Sequence, residues 1–270
     1  MTDITLGGKT AFVTGGYQGI GRAIVKTLAA AGANVAAVDA NADVIDGATS
    51  MAKDLTGCEV IGLHADVTSA VSVAAAVAEA NQRLGRIDIL VNNAGIVGKR
   101  AFSWDGDEEV WLTTIDVNLV GTYRVTKAVV PQMVEARTGR VVNIASISGK
   151  QGSLGNSAYA ASKHGVIGLT RTLAQEFAAL QLGDLTVNAV CPGVTDTQLV
   201  HGEGALLDGI AQLTGDSRDS VMDKYILPLS LQHRLIDPQE IADMVAYLAS
   251  DRARGITGQA VNVCGGSVFY

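Results

Sequence analysis

The chain has 270 residues, of which 48% are hydrophobic and 17% charged, so it can bury a substantial core and is not intrinsically disordered. A net charge of -7 argues against a nucleic-acid-binding surface, and no apolar run reaches the roughly 18 residues that a membrane span needs. Three widely spaced cysteines without a CxxC motif predict neither a disulfide framework nor a metal site. Because the first residues also lack the apolar core of a signal peptide, we expect a soluble, cytoplasmic protein.

Strand-like apolar runs alternate with segments of helical periodicity along the chain. Strands are predicted at 10–14, 34–40, 59–67, 87–95, 139–146, 185–193 and 258–266, and the main helices near 19–31, 44–55, 70–85, 108–135, 157–177 and 237–251. Continuous apolar strands joined by helices are typical of parallel strands buried on both faces. The sequence therefore predicts an α/β fold, a doubly wound, mostly parallel seven-stranded sheet with helices on both faces, in a single Rossmann-type domain spanning 1–270.

The first strand is followed by the glycine-rich segment TGGYQGIG, positions 14–21, which leads into the first helix. Glycines let the backbone bend sharply and approach a ligand closely, and the start of a helix offers free amides and a favourable dipole to a pyrophosphate. This turn predicts dinucleotide binding, although its spacing differs from G-x-G-x-x-G and glycines here can also reflect turn geometry alone. The predicted cofactor contacts in this turn are Gly15, Tyr17, Gln18, Gly19, Ile20 and Gly21.

An acidic residue, Asp39, ends the second predicted strand, close to the spacing expected of a ribose ligand about 20 residues beyond the glycines. A carboxylate there accepts hydrogen bonds from both ribose hydroxyls and repels a 2′-phosphate. Since Ala40 and Asn41 supply no compensating cation, the sequence favours NAD over NADP. The alternative is a solvated aspartate in a turn.

Two residues of the segment SAYAASKHG, Tyr159 and Lys163, stand four positions apart on a predicted helix, so their side chains lie on one face. A tyrosine titrates near pH ~10, and a neighbouring ammonium favours the phenolate and lowers that pKa. Ser146 ends the fifth predicted strand, at the sheet edge where α/β proteins bind ligands. Its hydroxyl can bond a substrate oxygen on which charge develops. The three residues predict proton-transfer chemistry.

The segment at about 197–236 interrupts the alternation of strands and helices and is long for a connection. Glycines at positions 202, 204, 209 and 215 offer hinges. Long connections in compact domains are often functional, so we interpret this segment as a lid over the substrate. A helical surface excursion that supports subunit contacts is the alternative.

Together, the glycine turn, NNAG at 92–95, IDVNL around Asn118, Ser146, Tyr159-x-x-x-Lys163 and CPGVTDT at 191–197 resemble the short-chain dehydrogenase/reductase family, in its order and over nearly the whole chain. The resemblance implies that Tyr159 is the acid/base, that Lys163 tunes it and holds the nicotinamide ribose, that Ser146 orients the reacting oxygen, and that Asn118 holds a water linking Lys163 to solvent. It implies a metal-free hydride transfer and further cofactor contacts from Asp66, Val67, Asn93, Ala94, Gly95, Pro192, Gly193, Val194, Thr195 and Thr197. The structural alternative is that Asn92 and Asn93 mainly stabilise the central sheet and that Asn118 mainly kinks its helix.

In this family the residues after Gly95, after Ser146 and in the lid select the substrate. The small and polar residues found there favour a secondary alcohol of a small polyol, sugar alcohol, diol or hydroxyketone, or the corresponding ketone. The alternative is a 3-hydroxy-acid or 3-oxoacyl reductase, although Ser148, Asn156 and Val194 stand where 3-hydroxybutyrate dehydrogenases carry other residues for their carboxylate. A remote alternative is a non-catalytic dinucleotide-sensing regulator. The resemblance also implies a homotetramer, formed through helices near 108–135 and 157–180.

Overall fold

The computed structural model describes residues 4–52 and 57–270. Seven parallel strands form one sheet in the order β3-β2-β1-β4-β5-β6-β7. This confirms the predicted fold class, and the strands are mostly shorter than predicted because the terminal residues turn into loops. The strands are β1 Thr10–Thr14, β2 Asn34–Asp39, β3 Val60–His64, β4 Ile89–Asn92, β5 Gly139–Ile144, β6 Leu185–Pro192 and β7 Ala260–Val263.

Ten α-helices connect the strands within the described residues. The predicted helix at 44–55 is observed to residue 52, and positions 53–55 lie outside the described residues. Within the described ranges, no helix combines the length and the apolarity required to cross a bilayer. The helices are α1 Gly19–Ala30, α2 Val44–Ala52, α3 Ala70–Leu84, α4 Glu108–Ile115, α5 Gly121–Ala136, α6 Ser157–Ala179, α7 Gln198–His201, α8 Leu206–Thr214, α9 Arg218–Val221 and α10 Pro238–Ala249.

Side chains alternate between two cores because successive strand residues point to opposite faces of the sheet. Val13 of β1 belongs to one buried cluster, whereas Phe12 belongs to the other. The first cluster contains the apolar sides of α1, α2 and α10, and the second those of α3, α5 and α6. Both faces of the sheet are therefore covered by helices, so a ligand can reach the sheet only at the ends of the strands.

The position of the ligand crevice follows from the strand order. β1 lies between β2 and β4, so the chain leaves the centre of the sheet in both directions at this point. In open α/β sheets, ligands bind at the carboxyl ends of the strands beside such a switch point. The glycine turn after β1 and the loop after β4 both lie at this edge.

The predicted helix at 108–135 contains a wider turn than expected. A π-helical turn at Asp116–Val120 separates α4 from α5, and such turns are frequent at functional sites. Gly121 follows it, and a Cβ at this position would come within 2.8 Å of the Val67 side chain. The glycine thus allows α5 to begin close to the loop after β3.

The segment predicted as a lid is helical and has a small core of its own. It contains α7, α8 and α9, and its buried residues include Val200, Ile210 and Val221. Its two ends are joined, since the Ile236 amide donates to the carbonyl of Val194 at 2.9 Å and the Asp196 amide donates to that of Ile236 at 2.9 Å. The segment is therefore a closed excursion from the carboxyl end of β6.

Candidate active site

A cavity of about 720 Å³ opens at the carboxyl ends of the strands. It extends from the glycine turn to the residues after β5 and to the helices of the segment 197–236. Every predicted site residue lines it except Tyr17 and Asn118. The sequence-predicted residues in its wall are Gly15, Gln18, Gly19, Ile20, Gly21, Asp39, Asp66, Val67, Asn93, Ala94, Gly95, Ser146, Tyr159, Lys163, Pro192, Gly193, Val194, Thr195 and Thr197.

The glycine turn requires glycine for steric reasons. Gly15 has a φ of 64°, and a Cβ on Gly21 would come within 1.8 Å of the Gly15 carbonyl oxygen. The N-cap residue of α1, Gln18, makes no side-chain capping hydrogen bond, so the first amides of this helix keep their capacity to bind an anion. The turn and the cavity beside it fit the pyrophosphate of a dinucleotide.

The side chain of Asn93 stabilises the backbone of this turn. Its side-chain amide donates to the carbonyls of Thr14 and Gly15, each at 3.0 Å. The Thr14 hydroxyl in turn accepts hydrogen bonds from the amides of Asn93 at 3.0 Å and Ala94 at 3.1 Å. The side chain of Asn93 therefore has a structural function in the turn, although the residue also lines the cavity.

Asp39 lies at the other end of the turn, where β2 finishes. Its carboxylate accepts hydrogen bonds from the backbone amides of Tyr17 at 3.1 Å and Asn41 at 3.0 Å. Tyr17 does not line the cavity: its ring lies against Gly47, and its amide holds Asp39. Asp66 and Val67, which follow the neighbouring β3, line the same end of the cavity.

Ser146, Tyr159 and Lys163 lie together in the wall of the cavity. Tyr159 and Lys163 share one face of α6, and the Lys163 ammonium lies 5.6 Å from the centre of the Tyr159 ring. The Ser146 hydroxyl lies near the Tyr159 phenol and favours its ionised form, and it accepts a hydrogen bond from the Ser148 amide at 3.1 Å. Lys163 donates from Nζ to the carbonyl of Ile144 at 2.8 Å, which directs it across the end of β5.

Burial dominates the electrostatics of this group. It raises the pKa of Tyr159, while the nearby Ser146 hydroxyl and the positive charge of Arg100 act against that rise. Burial also lowers the pKa of Lys163 to about 8. The expected lowering of the tyrosine pKa by its lysine neighbour is thus not the net result, because desolvation of the phenolate outweighs the favourable charges.

Asn118 is fully buried in the π-helical turn beside the cavity. Its Oδ1 accepts from the amide of Ile96 at 2.8 Å, and its Nδ2 donates to the Ile96 carbonyl at 2.8 Å and to the Ser162 hydroxyl at 3.1 Å. Its side chain therefore binds the loop after β4 to α6. The water-holding role implied by the resemblance remains a prediction.

The loop after β6 closes the cavity over the glycine turn. A Cβ on Gly19 would lie 3.3 Å from the Thr197 methyl group, so the two segments touch. Gly193 packs against the last strand, where a Cβ would come within 2.9 Å of the Cα of Cys264. The residues 192–197 thus form the wall opposite the amides of α1.

Arg100 is a charged residue of the cavity wall that the sequence-based predictions do not include. It is only 9% exposed, although the neighbouring Lys99 is exposed and does not line the cavity. Burial lowers the pKa of Arg100 to about 10, and the nearby Tyr159 acts in the opposite direction. Its place in a glycine-containing loop carries no periodic signal that distinguishes it from a solvated arginine.

Comparison with known proteins agrees with this geometry. The short chain dehydrogenase family model matches residues 9–205. A putative ketoacyl reductase of the monensin polyketide synthase from Streptomyces virginiae is 40% identical over 261 residues, covering 96% of both chains. The oxidoreductase UcpA of Salmonella typhimurium is 40% identical over 267 residues, covering 98% of this chain and 96% of the relative.

Solved structures show the same fold over nearly the whole chain. Levodione reductase superposes with a TM-score of 0.87 at 32% identity, covering 98% of this chain and 99% of that one. A variant of actinorhodin polyketide ketoreductase, solved with NADPH, superposes with a TM-score of 0.86 at 37% identity, covering 97% and 98%. The chain therefore belongs to the short-chain dehydrogenase/reductase family of oxidoreductases.

Proposed function

We propose that this protein is an NAD-dependent oxidoreductase that interconverts a secondary alcohol and its ketone. The observation that carries the proposal is the grouping of Ser146, Tyr159 and Lys163 in a cavity that continues to the glycine turn. A nicotinamide cofactor would supply the acceptor or donor of the hydride. The residues proposed to hold it are those of the glycine turn, Asp39, the loops after β3 and β4, Lys163 and the loop 192–197.

Tyr159 is proposed to exchange the hydroxyl proton with the substrate oxygen. Its buried phenol stays protonated unless a compensating charge is close, which suits donation of a proton to a ketone. Ser146 would hold the same substrate oxygen as charge develops on it, because its hydroxyl lies near Tyr159 in the same cavity wall. Lys163 would bind ribose hydroxyls and supply positive charge beneath the tyrosine.

The preference for NAD rests on Asp39. Its carboxylate is held at the end of β2 by two backbone amides and lines the cavity. A 2′-phosphate placed beside it would bring like charges together. The ketoreductase relative was solved with NADPH, so the cofactor preference of this chain is a discriminating measurement.

Two substrate classes fit the catalytic group. Small polyols, sugar alcohols, diols and hydroxyketones suit the polar wall residues Ser148, Gln151 and Ser153, and the helices of 197–236 are proposed to cover them as a lid. A 3-oxoacyl or 3-hydroxy-acid substrate is the second candidate, which the ketoacyl reductases among the relatives support. A non-catalytic dinucleotide sensor is the remote alternative.

A substrate panel tests the proposal. Purified protein is mixed with NAD or NADP and secondary alcohols, or with NADH or NADPH and ketones, and the absorbance of the reduced nicotinamide is followed. Turnover that is faster with NAD(H) and absent from a Tyr159→Phe variant supports the proposal. Dinucleotide binding without turnover of any alcohol or ketone, unchanged by Tyr159→Phe, would favour the sensor.

A further inference from the structure

We propose that Arg100 binds an oxoanion, a carboxylate or phosphate group, carried by the substrate, so that the substrate is an anionic ketone or hydroxy compound. This inference rests on the proposed oxidoreductase activity and specifies its substrate class. Arg100 contributes to the wall of the same cavity as Ser146 and Tyr159. It would be a specificity-determining residue.

The guanidinium lacks a counter-ion within the described residues 4–52 and 57–270. None of their ion pairs includes Arg100, and its one hydrogen bond runs from Nη1 to the carbonyl of Leu154. Its Nε is enclosed without a partner, whereas Nη2 is neither enclosed nor hydrogen-bonded. Burying a charge is costly unless it is paired, so this arrangement leaves a donor for an anion that enters the cavity.

The position of Arg100 is defined by its packing. A Cβ on Gly209 of α8 would come within 2.8 Å of Arg100 Cδ, so the helix lies directly against the aliphatic part of the side chain. The amide of the next residue, Ala101, bonds the carbonyl of Gly155 at 2.9 Å. Arg100 is therefore held between the loop after β4, the loop before α6 and the lid.

The buried, unpaired guanidinium of Arg100 is better explained by an anionic substrate than by a neutral one. A polyol would leave the buried guanidinium uncompensated, whereas a carboxylate or phosphate forms a charge-assisted hydrogen bond with it. The charge also lies close enough to Tyr159 to oppose the rise that burial causes in the pKa of the phenol. Arg100 could therefore act only through Tyr159, and the experiment must separate the two roles.

The test compares matched substrates with NADH. One pair is 3-oxobutanoate and its methyl ester, and the other is hydroxyacetone phosphate and hydroxyacetone. We expect the wild type to prefer the anionic member of one pair in kcat/KM, and the identity of that pair distinguishes carboxylate from phosphate. Arg100→Gln should reduce the preference for the anionic member by about 10- to 100-fold. It should change kcat/KM for the neutral member by less than about threefold.

Two further variants control the result. Arg100→Lys keeps the charge and should retain part of the preference for the anionic substrate. Lys99→Gln removes an exposed cation outside the cavity and should leave that preference unchanged. Thermal unfolding and NADH fluorescence establish that each variant folds and binds cofactor. Because Arg100→Lys keeps both a cation and a long aliphatic stem, it tests the proposal even if the glutamine variant fails to fold.

Two outcomes would overturn the inference. One is that the wild type has the same kcat/KM for the anionic and the neutral member of both pairs. The other is that Arg100→Gln reduces kcat/KM equally for both members of a pair and shifts the pH profile of the neutral substrate. That result would mean that Arg100 acts only through Tyr159. Absence of turnover with every alcohol and ketone would instead refute the proposed function. The anion-binding role of Arg100 would then be tested by fluorescence. 3-Oxobutanoate or hydroxyacetone phosphate should quench the fluorescence of bound NADH more in the wild type than in Arg100→Gln.

Discussion

At the scale of single residues, the spacing of Tyr159 and Lys163 predicts the proposed catalytic group, and burial sets the pKa values of its members. Tyr159 and Lys163 lie on one face of α6, as their i and i+4 positions predict. Their surroundings then determine which protonation states are accessible, because each loses hydration in the cavity wall.

Replacing Tyr159 by phenylalanine removes the proposed proton carrier while keeping the ring. We expect kcat to fall by about 10²- to 10⁴-fold, the usual contribution of a general acid–base group, with NADH binding nearly unchanged. Steady-state kinetics and fluorescence titration measure the two effects. Tyr247→Phe, on α10 and outside the cavity, is the matched control. Retained turnover in Tyr159→Phe would refute the acid–base assignment.

Substitution of Asp39 tests the proposed cofactor preference. Asp39→Ala should relax the preference for NAD over NADP in kcat/KM by about tenfold or more, since it removes a charge that opposes the 2′-phosphate. Asp39→Asn removes the charge but keeps one acceptor oxygen, so one of the two hydrogen bonds from the amides of Tyr17 and Asn41 can persist. Asp43→Ala, exposed in the same loop, is the control. An unchanged ratio in both Asp39 variants contradicts the ribose assignment.

The lowered pKa of Lys163 predicts a pH-dependent stability. Its pKa falls from 10.5 to about 8 on folding, so the unfolded chain holds more protons between these values and stability rises with pH across this window. Relative to Lys163→Met, the wild type should gain about 2 kcal/mol in free energy of unfolding between pH 8 and 9.5. Denaturant unfolding at both pH values measures this difference. A difference that is independent of pH would show that Lys163 remains charged in the folded chain.

At the scale of elements, the turn between β1 and α1 has no room for a side chain at Gly21. Gly21→Ala would place a Cβ 1.8 Å from a backbone oxygen, which no side-chain movement relieves. We expect NADH binding to be lost, or the chain to unfold at a markedly lower temperature. Gly183→Ala, with open space around its Cβ, is the control. Normal NADH affinity in Gly21→Ala would show that the turn rearranges without cost and does not cradle the dinucleotide.

At the scale of the whole molecule, the homotetramer implied by the resemblance remains a prediction. The helices proposed to form it carry exposed apolar side chains, including Leu112 at 54% exposure on α4. Light scattering should give about four times the chain mass of 27.8 kDa, and Leu112→Lys should lower it. Val71→Lys, on α3 and 81% exposed, should leave it unchanged. A monomer in the unmodified protein would contradict the prediction.

The sequence by itself determined the fold class and the location of the crevice. Three features suffice: seven continuous apolar runs, a glycine turn after the first and an acidic residue at the end of the second. Strand burial and turn sterics are local properties that such patterns reflect. Ser146, Tyr159 and Lys163 were also recognisable, since strand ends meet at one sheet edge and i, i+4 residues share a helix face. Most of the predicted strands were too long, because the points at which their terminal residues turn into loops depend on the hydrogen-bonded register of the sheet.

Only the tertiary structure decided the properties that depend on distant contacts. Burial reverses the expected net effect on the pKa of Tyr159, Tyr17 supports Asp39 instead of lining the cavity, and Asn118 binds the loop after β4. Arg100 became a candidate because a loop and α8 enclose it beside Tyr159. Desolvation and charge pairing depend on which segments meet in space, and no spacing along the chain encodes that information.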